Sequence, residues 1–179
     1  MKQNKPLAMN FKRFYILAAL LPAGLALCGQ QVSDSKTLIK SFRASASPVV
    51  EISNKYGDVH VTQSQSDSVK VRVEITASSN TGDRTDAMMQ DVDVNISMTG
   101  ETVRGITSFR KGITPLFESL KGLTKNLINF DSRMKIDWFV ECPPETELRI
   151  TNSYGDVYIG DEVQVLVLKQ SNGNLDASA

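Results

Sequence analysis

The acidic residues that stand out are those that recur. Asp58 ends the run Asn54-Lys55-Tyr56-Gly57-Asp58, and Asp156 ends Asn152-Ser153-Tyr154-Gly155-Asp156. A weaker third copy puts Asn174 after Gly173. Stacked oxygen donors of this kind could hold calcium, which needs about six to eight oxygens converging on one point. Asp58, Asp156 and Asn174 are the only candidates, and turn geometry explains their recurrence better, because Asp beside Gly bonds nearby backbone amides. Glycoside hydrolysis needs two carboxylates set apart by context; acids are plentiful here and none is so marked. His60 is the single histidine, and Tyr158 replaces it in the second copy, which argues against a required imidazole. Cys142 would need a nearby base to react and reads instead as a small buried hydrophobe. There is no phosphate loop and no zinc spacing. The expectation is a protein that is not an enzyme and carries no cofactor.

The recurring residues imply the elements that hold them. Val50, Ile52, Asn54 and Tyr56 alternate, as do Val59 and Val61, and period two means a strand with one buried face. Between Tyr56 and Val59 the step is three, so the chain must bend there or turn its apolar face outward. The second copy, Leu148 to Ile159, repeats this unit, and the third, Leu166 to Ala177, follows 18 residues later. Gly57-Asp58, Gly155-Asp156 and Gly173 are therefore expected at corners, with Gly supplying positive φ. Asn54, Tyr56, Asn152 and Tyr154 complete the corner positions. Stacking would bring Asn152 near Gln170 and Tyr154 near Asn172.

Between the first two copies the alternation continues. Val69 to Ile75, Val92 to Met98, and Ile136, Trp138 and Val140 read as strands, with a short helix expected between Asp83 and Gln90. Residues 114–130 differ. Leu116, Leu120, Leu123, Leu127 and Phe130 have helical spacing, with Thr114 and Pro115 suited to its start.

The N-terminus reads as an export signal. Lys2, Lys5, Lys12 and Arg13 precede an apolar run from Phe14 to Leu27, about fourteen residues, shorter than the roughly 20 a membrane helix needs. Leu25-Ala26-Leu27-Cys28 resembles a lipobox, which would make Cys28 a lipidated membrane anchor; ordinary signal-peptidase cleavage is the other reading. Without those four cations the chain keeps 16 basic against 20 acidic residues, a net of −4. An acidic chain without clustered Lys and Arg argues against nucleic acid as a partner.

The Asn-x-Tyr-Gly-Asp-Val units, the alternating strand from Val69 and the strand from Lys135 to Glu141 leading into Pro143 resemble the putative adhesin family of exported bacterial β-strand-repeat proteins. The resemblance runs from about Phe42 to Ala177. It implies an all-β fold, a single-stranded parallel β-solenoid, in the periplasm, at the outer membrane or at the cell surface. It brings no catalytic residues with it.

The organisation expected is a signal helix over 1–28, a linker over 29–41, and a β-repeat domain over 42–179 with a short helical insertion, cut short at its C-terminal end. The function expected is a non-catalytic envelope or surface scaffold with an adhesin-like binding or assembly role, its partner a protein or polysaccharide at the cell surface. The alternatives are a polysaccharide-acting β-helix enzyme, or an envelope regulatory component that uses 114–130 to reach membrane or partner.

Overall fold

The computed structural model describes residues 31–110, 132–160 and 165–178. The expected signal helix with Cys28, and the helical segment 114–130, lie outside the described residues.

Strand alternation translates directly into burial. In β4 (Ser68–Ser79), Val69, Val71, Val73 and Ile75 face inward and are buried, while Lys70 and Thr76 face solvent. The same pattern holds in β7 (Arg133–Cys142), where Ile136, Trp138, Val140 and Cys142 are buried. Burying each such side chain contributes about 1.5–3 kcal/mol, which is why the pattern fixes the faces.

Among the described residues, eleven strands form two sheets. The remaining strands are β1 (Val32–Arg43), β2 (Val49–Lys55), β3 (Val59–Gln63), β5 (Val92–Thr99), β6 (Thr102–Phe109), β8 (Glu147–Ser153), β9 (Val157–Gly160), β10 (Val165–Ser171) and β11 (Leu175–Ser178). One sheet has the order β1-β4-β7-β3-β9-β11 and the other β10-β8-β2-β6-β5. Helix α1 (Gly82–Asp91), where a short helix is expected, packs on β4, β1 and β5. Residues 32–41, read from sequence as part of a linker, form most of β1.

Each repeat unit crosses from one sheet to the other. β2, β8 and β10 pair in parallel in the five-stranded sheet, and their continuations β3, β9 and β11 pair in parallel in the six-stranded sheet. Register is exact by position: Ile52 opposes Ile150, and Val59 opposes Val157.

The single-stranded parallel solenoid expected from sequence is not the fold. β4 pairs antiparallel with both β1 and β7, and β5 pairs antiparallel with β6, so both sheets are mixed. The physical reason is that period two specifies which residues face the core but carries no strand direction. β1 and β4, each twelve residues long, pair over their whole length, much longer than the strands of a repeat unit.

Trp138 sits at the centre and is fully buried. Gly105 on β6 makes room for it, since a β-carbon there would lie 2.3 Å from the indole ring. The indole Nε1–H donates to Asn54 Oδ1 at 3.1 Å and to Thr107 Oγ1 at 3.1 Å.

Candidate functional site

The three corners stack in register. Each is held by an amide beneath it. Asn54 Nδ2 donates to the carbonyls of Gly57 (3.1 Å) and Ile136 (3.0 Å). Asn152 Nδ2 donates to Gly57 O at 3.1 Å, and Gln170 Nε2 to Gly155 O at 3.1 Å and Asn174 O at 2.7 Å. Gln170 lies opposite Asn152, as stacked units would place it.

The glycines serve a different purpose from the one expected. Positive φ belongs to the residue before each glycine: Tyr56 (66°), Tyr154 (61°) and Asn172 (57°). The glycines are required by close approach of backbone. A β-carbon on Gly57 would lie 2.1 Å from Ile136 O, on Gly155 1.9 Å from Gly57 O, and on Gly173 2.0 Å from Gly155 O.

The recurring aspartates hold the next unit. Asp58 N–H donates to Asp137 Oδ1 at 2.9 Å, Asp156 N–H to Asp58 Oδ1 at 2.9 Å, and Asn174 N–H to Asp156 Oδ1 at 2.6 Å. Lys135 Nζ bridges Asp58 Oδ2 at 2.9 Å and Asp137 Oδ2 at 3.0 Å. Burial pushes the Asp58 carboxyl up, but the Asp156 amide and the Lys135 ammonium outweigh it and hold the carboxyl below its ordinary value. The Lys135 ammonium is raised by its hydrogen bonds to Asp58 and Asp137. These oxygens point at amides and an ammonium, not at a common centre. Among the described residues no group of His, Cys, Asp or Glu is arranged to hold a metal ion.

Two residues beyond the aspartates, the outer face of the six-stranded sheet carries an aromatic row. His60 lies between Phe139, at 4.9 Å and 7° between planes, and Tyr158, at 4.7 Å and 6°. The strand order brings Arg72 to the far side of Phe139, its guanidinium carbon 3.8 Å from the ring centroid. Arg72 also pairs with Glu74. Ile39 extends the row past Arg72 and is 60% exposed, and Asp176 extends it past Tyr158. The rings stand side by side with their faces on one another, so they show edges and polar tips to solvent. The phenol of Tyr158 is raised by the neighbouring Asp156 carboxylate, which its hydroxyl approaches at 3.3 Å.

A second stack joins the corners themselves. Tyr56 and Tyr154 lie 5.3 Å apart at 16°, with Phe109 edge-on to Tyr56 at 5.7 Å and Lys55 Nζ 5.0 Å from the Tyr56 ring centroid.

Sequence reasoning places His60 on a solvent-facing strand position and Tyr158 as its counterpart; the structure adds that the two rings stack. Phe139 and Arg72 are not singled out in the sequence, although Phe139 occupies an outward position between the inward Trp138 and Val140. Cys142 is buried, and burial pushes its thiol up.

No protein family and no curated protein matches this sequence. Solved structures give distant likenesses. The chain is similar to a putative cell adhesion protein from Clostridium sporogenes, with a TM-score of 0.40 and 13% identity over 80% of this chain and 58% of that one. It is similar to a putative adhesin from Bacteroides fragilis, with a TM-score of 0.36 and 16% identity over 79% of this chain and 53% of that one. A putative adhesin from Parabacteroides merdae matches with a TM-score of 0.32 and 12% identity over 79% and 56%. The chain spans less than two thirds of each of these three proteins.

Proposed function

We propose that this protein is a non-catalytic binding scaffold of the bacterial cell envelope, and that it recognises a protein partner through the outer face of the six-stranded sheet. The observation that carries the reading is the row Arg72-Phe139-His60-Tyr158. A cation, two aromatic rings and an imidazole are set in line across four strands, flanked by the exposed Ile39. Arg and Tyr are among the residues that contribute most at protein interfaces, where a rigid aromatic side chain buries much area for little lost freedom.

The same geometry favours binding over catalysis. Both faces of His60 are covered by rings. Cys142 is inside with a raised pKa, the opposite of an activated thiol. The repeated aspartates hold backbone amides of the neighbouring unit. Placement in the envelope rests on the basic start and apolar run of the sequence before Cys28.

The test is binding of purified protein to the envelope fraction of the producing cells, comparing wild type with the paired substitution Phe139→Ser and Tyr158→Thr. Saturable binding that falls at least about tenfold in the folded variant supports the reading. Binding unchanged by the substitutions contradicts it.

A further inference from the structure

Each repeat unit offers the next the same set of hydrogen-bonding groups. Two are donors. Tyr56 N–H donates to Ser153 O at 2.9 Å and Tyr154 N–H to Ser171 O at 3.0 Å. Val59 N–H donates to Asp156 O and Val157 N–H to Asn174 O, each at 2.9 Å. Two are acceptors. The Gly57 carbonyl takes the Asn152 amide and the Gly155 carbonyl the Gln170 amide, each at 3.1 Å. Asp58 Oδ1 takes the Asp156 N–H at 2.9 Å, and Asp156 Oδ1 the Asn174 N–H at 2.6 Å.

The third unit presents this set at an edge, since β10 and β11 are the outermost described strands of their sheets. Parallel pairing repeats the direction of each backbone group from strand to strand. The Asn172 and Leu175 N–H groups and the Gly173 carbonyl therefore point away from β8 and β9. Asn174 gives Nδ2 to Asp156 at 3.2 Å, which leaves its Oδ1. The apolar column through Val59 and Val157, both fully buried, reaches Leu175, which is 47% exposed. The opposite edge is guarded. There α1 packs on β1 and β5, Lys40 of β1 donates to the Ile96 carbonyl of β5 at 2.6 Å, and Lys36 and Arg43 stand exposed on β1. Charged edge strands resist pairing with another chain.

The β10–β11 edge also dictates what fits it. At the two inner junctions the glycine of one unit lies against the glycine carbonyl of the unit before, where a β-carbon would come within 1.9 Å or 2.0 Å. A strand laid on this edge therefore needs glycine over Gly173 O. Asn54, Asn152 and Gln170 each stand three residues before their glycine, and Val59, Val157 and Leu175 two residues after it. The amide reaches the preceding glycine carbonyl, and the apolar residue continues the buried column.

We propose that this edge takes up, by parallel strand addition, a segment of a partner protein that reads Asn or Gln, any two residues, Gly, any residue, then an apolar residue. Main-chain hydrogen bonds supply affinity, and the glycine, amide and apolar positions supply selection. The edge is separate from the outer face that carries the aromatic row.

Fluorescence anisotropy of a labelled peptide with the sequence of residues 165–178, titrated with the purified chain, tests it. Saturable binding is expected. The same peptide with Gly173→Ala, and the intact peptide titrated with the Leu175→Glu chain, are each expected to bind at least about tenfold more weakly. Leu175 is half exposed, so the circular dichroism spectrum of that variant should be unchanged. Absence of saturable binding, equal binding of the alanine peptide, indifference to Leu175→Glu, or a dimer of the chain that excludes the peptide overturns the proposal.

Discussion

The carbonyl oxygen of Gly57 lies 1.9 Å from where a β-carbon on Gly155 would be. Two corners of the chain thus meet backbone against backbone, and no side chain fits between them. Gly155→Ala must push the two units apart, and we expect a loss of at least about 3 kcal/mol in denaturant unfolding. Gly82 has open space around it, so Gly82→Ala should leave stability within about 1 kcal/mol, on the stabilising side. Equal effects from the two substitutions would contradict the close approach.

The inner amides are not equivalent. Asn54 uses both ends, donating to two carbonyls and accepting from Trp138 and Thr107. Asn152 donates, but its buried Oδ1 has no partner among the described residues. Replacing each by Leu leaves carbonyls without donors in both cases; only Asn152→Leu also removes an unpaired acceptor. Asn54→Leu is therefore expected to cost about 1–3 kcal/mol more than Asn152→Leu. Equal unfolding free energies for the two variants would count against this assignment.

The Asp58–Lys135 contact sets a pH dependence. The Asp58 carboxyl is held below its ordinary value in the folded chain, so its contribution is fully present above the unfolded value of about 3.9 and is lost as pH falls through the lower folded value. Lys135 is raised, so its contribution is present below about 10.4 and is lost as pH rises through the folded value. Between those limits the difference in stability between wild type and Asp58→Asn should be constant, and it should shrink below about pH 4. Melting temperatures across pH check this; a difference that grows on acidification would reverse the assignment.

Tyr154→Asn trades a ring stack for relief of a strained corner. The stack contributes about 0.5–1.5 kcal/mol and the left-handed conformation costs about 1–2 kcal/mol. Net stability should stay within about 1 kcal/mol of wild type. Tyr56→Asn should be worse, because Phe109 also packs on Tyr56. Calorimetric melting that ranks the two the other way would contradict this reading of the corner.

The repeat was legible because Asn54 and Asn152, and Gly57 and Gly155, sit at matching offsets in their two copies. Their parallel register follows from that identity. The antiparallel strands were not legible: Val69 to Ile75 shows its buried face but not its direction, and Thr102–Phe109, interrupted by Gly105, gives a weak strand signal until Trp138 is seen to need the space. The role of the glycines was also hidden, because close approach to another unit leaves no mark on local sequence distinct from a turn. Of the aromatic row, His60 and Tyr158 occupy matching positions in the two copies, whereas Arg72 and Phe139 join them only through the pairing of β4, β7 and β3.

The most direct test of a recognition surface on the six-stranded sheet is site-specific photo-crosslinking in producing cells. The crosslinker is placed at Tyr158 and, as a control, at Ser97 on the outer face of the other sheet, with and without Arg72→Glu. A discrete adduct from position 158, absent from position 97 and lost with Arg72→Glu in a protein of unchanged fold, is the predicted result. Identical crosslinking from both faces, or none from position 158, would contradict the account.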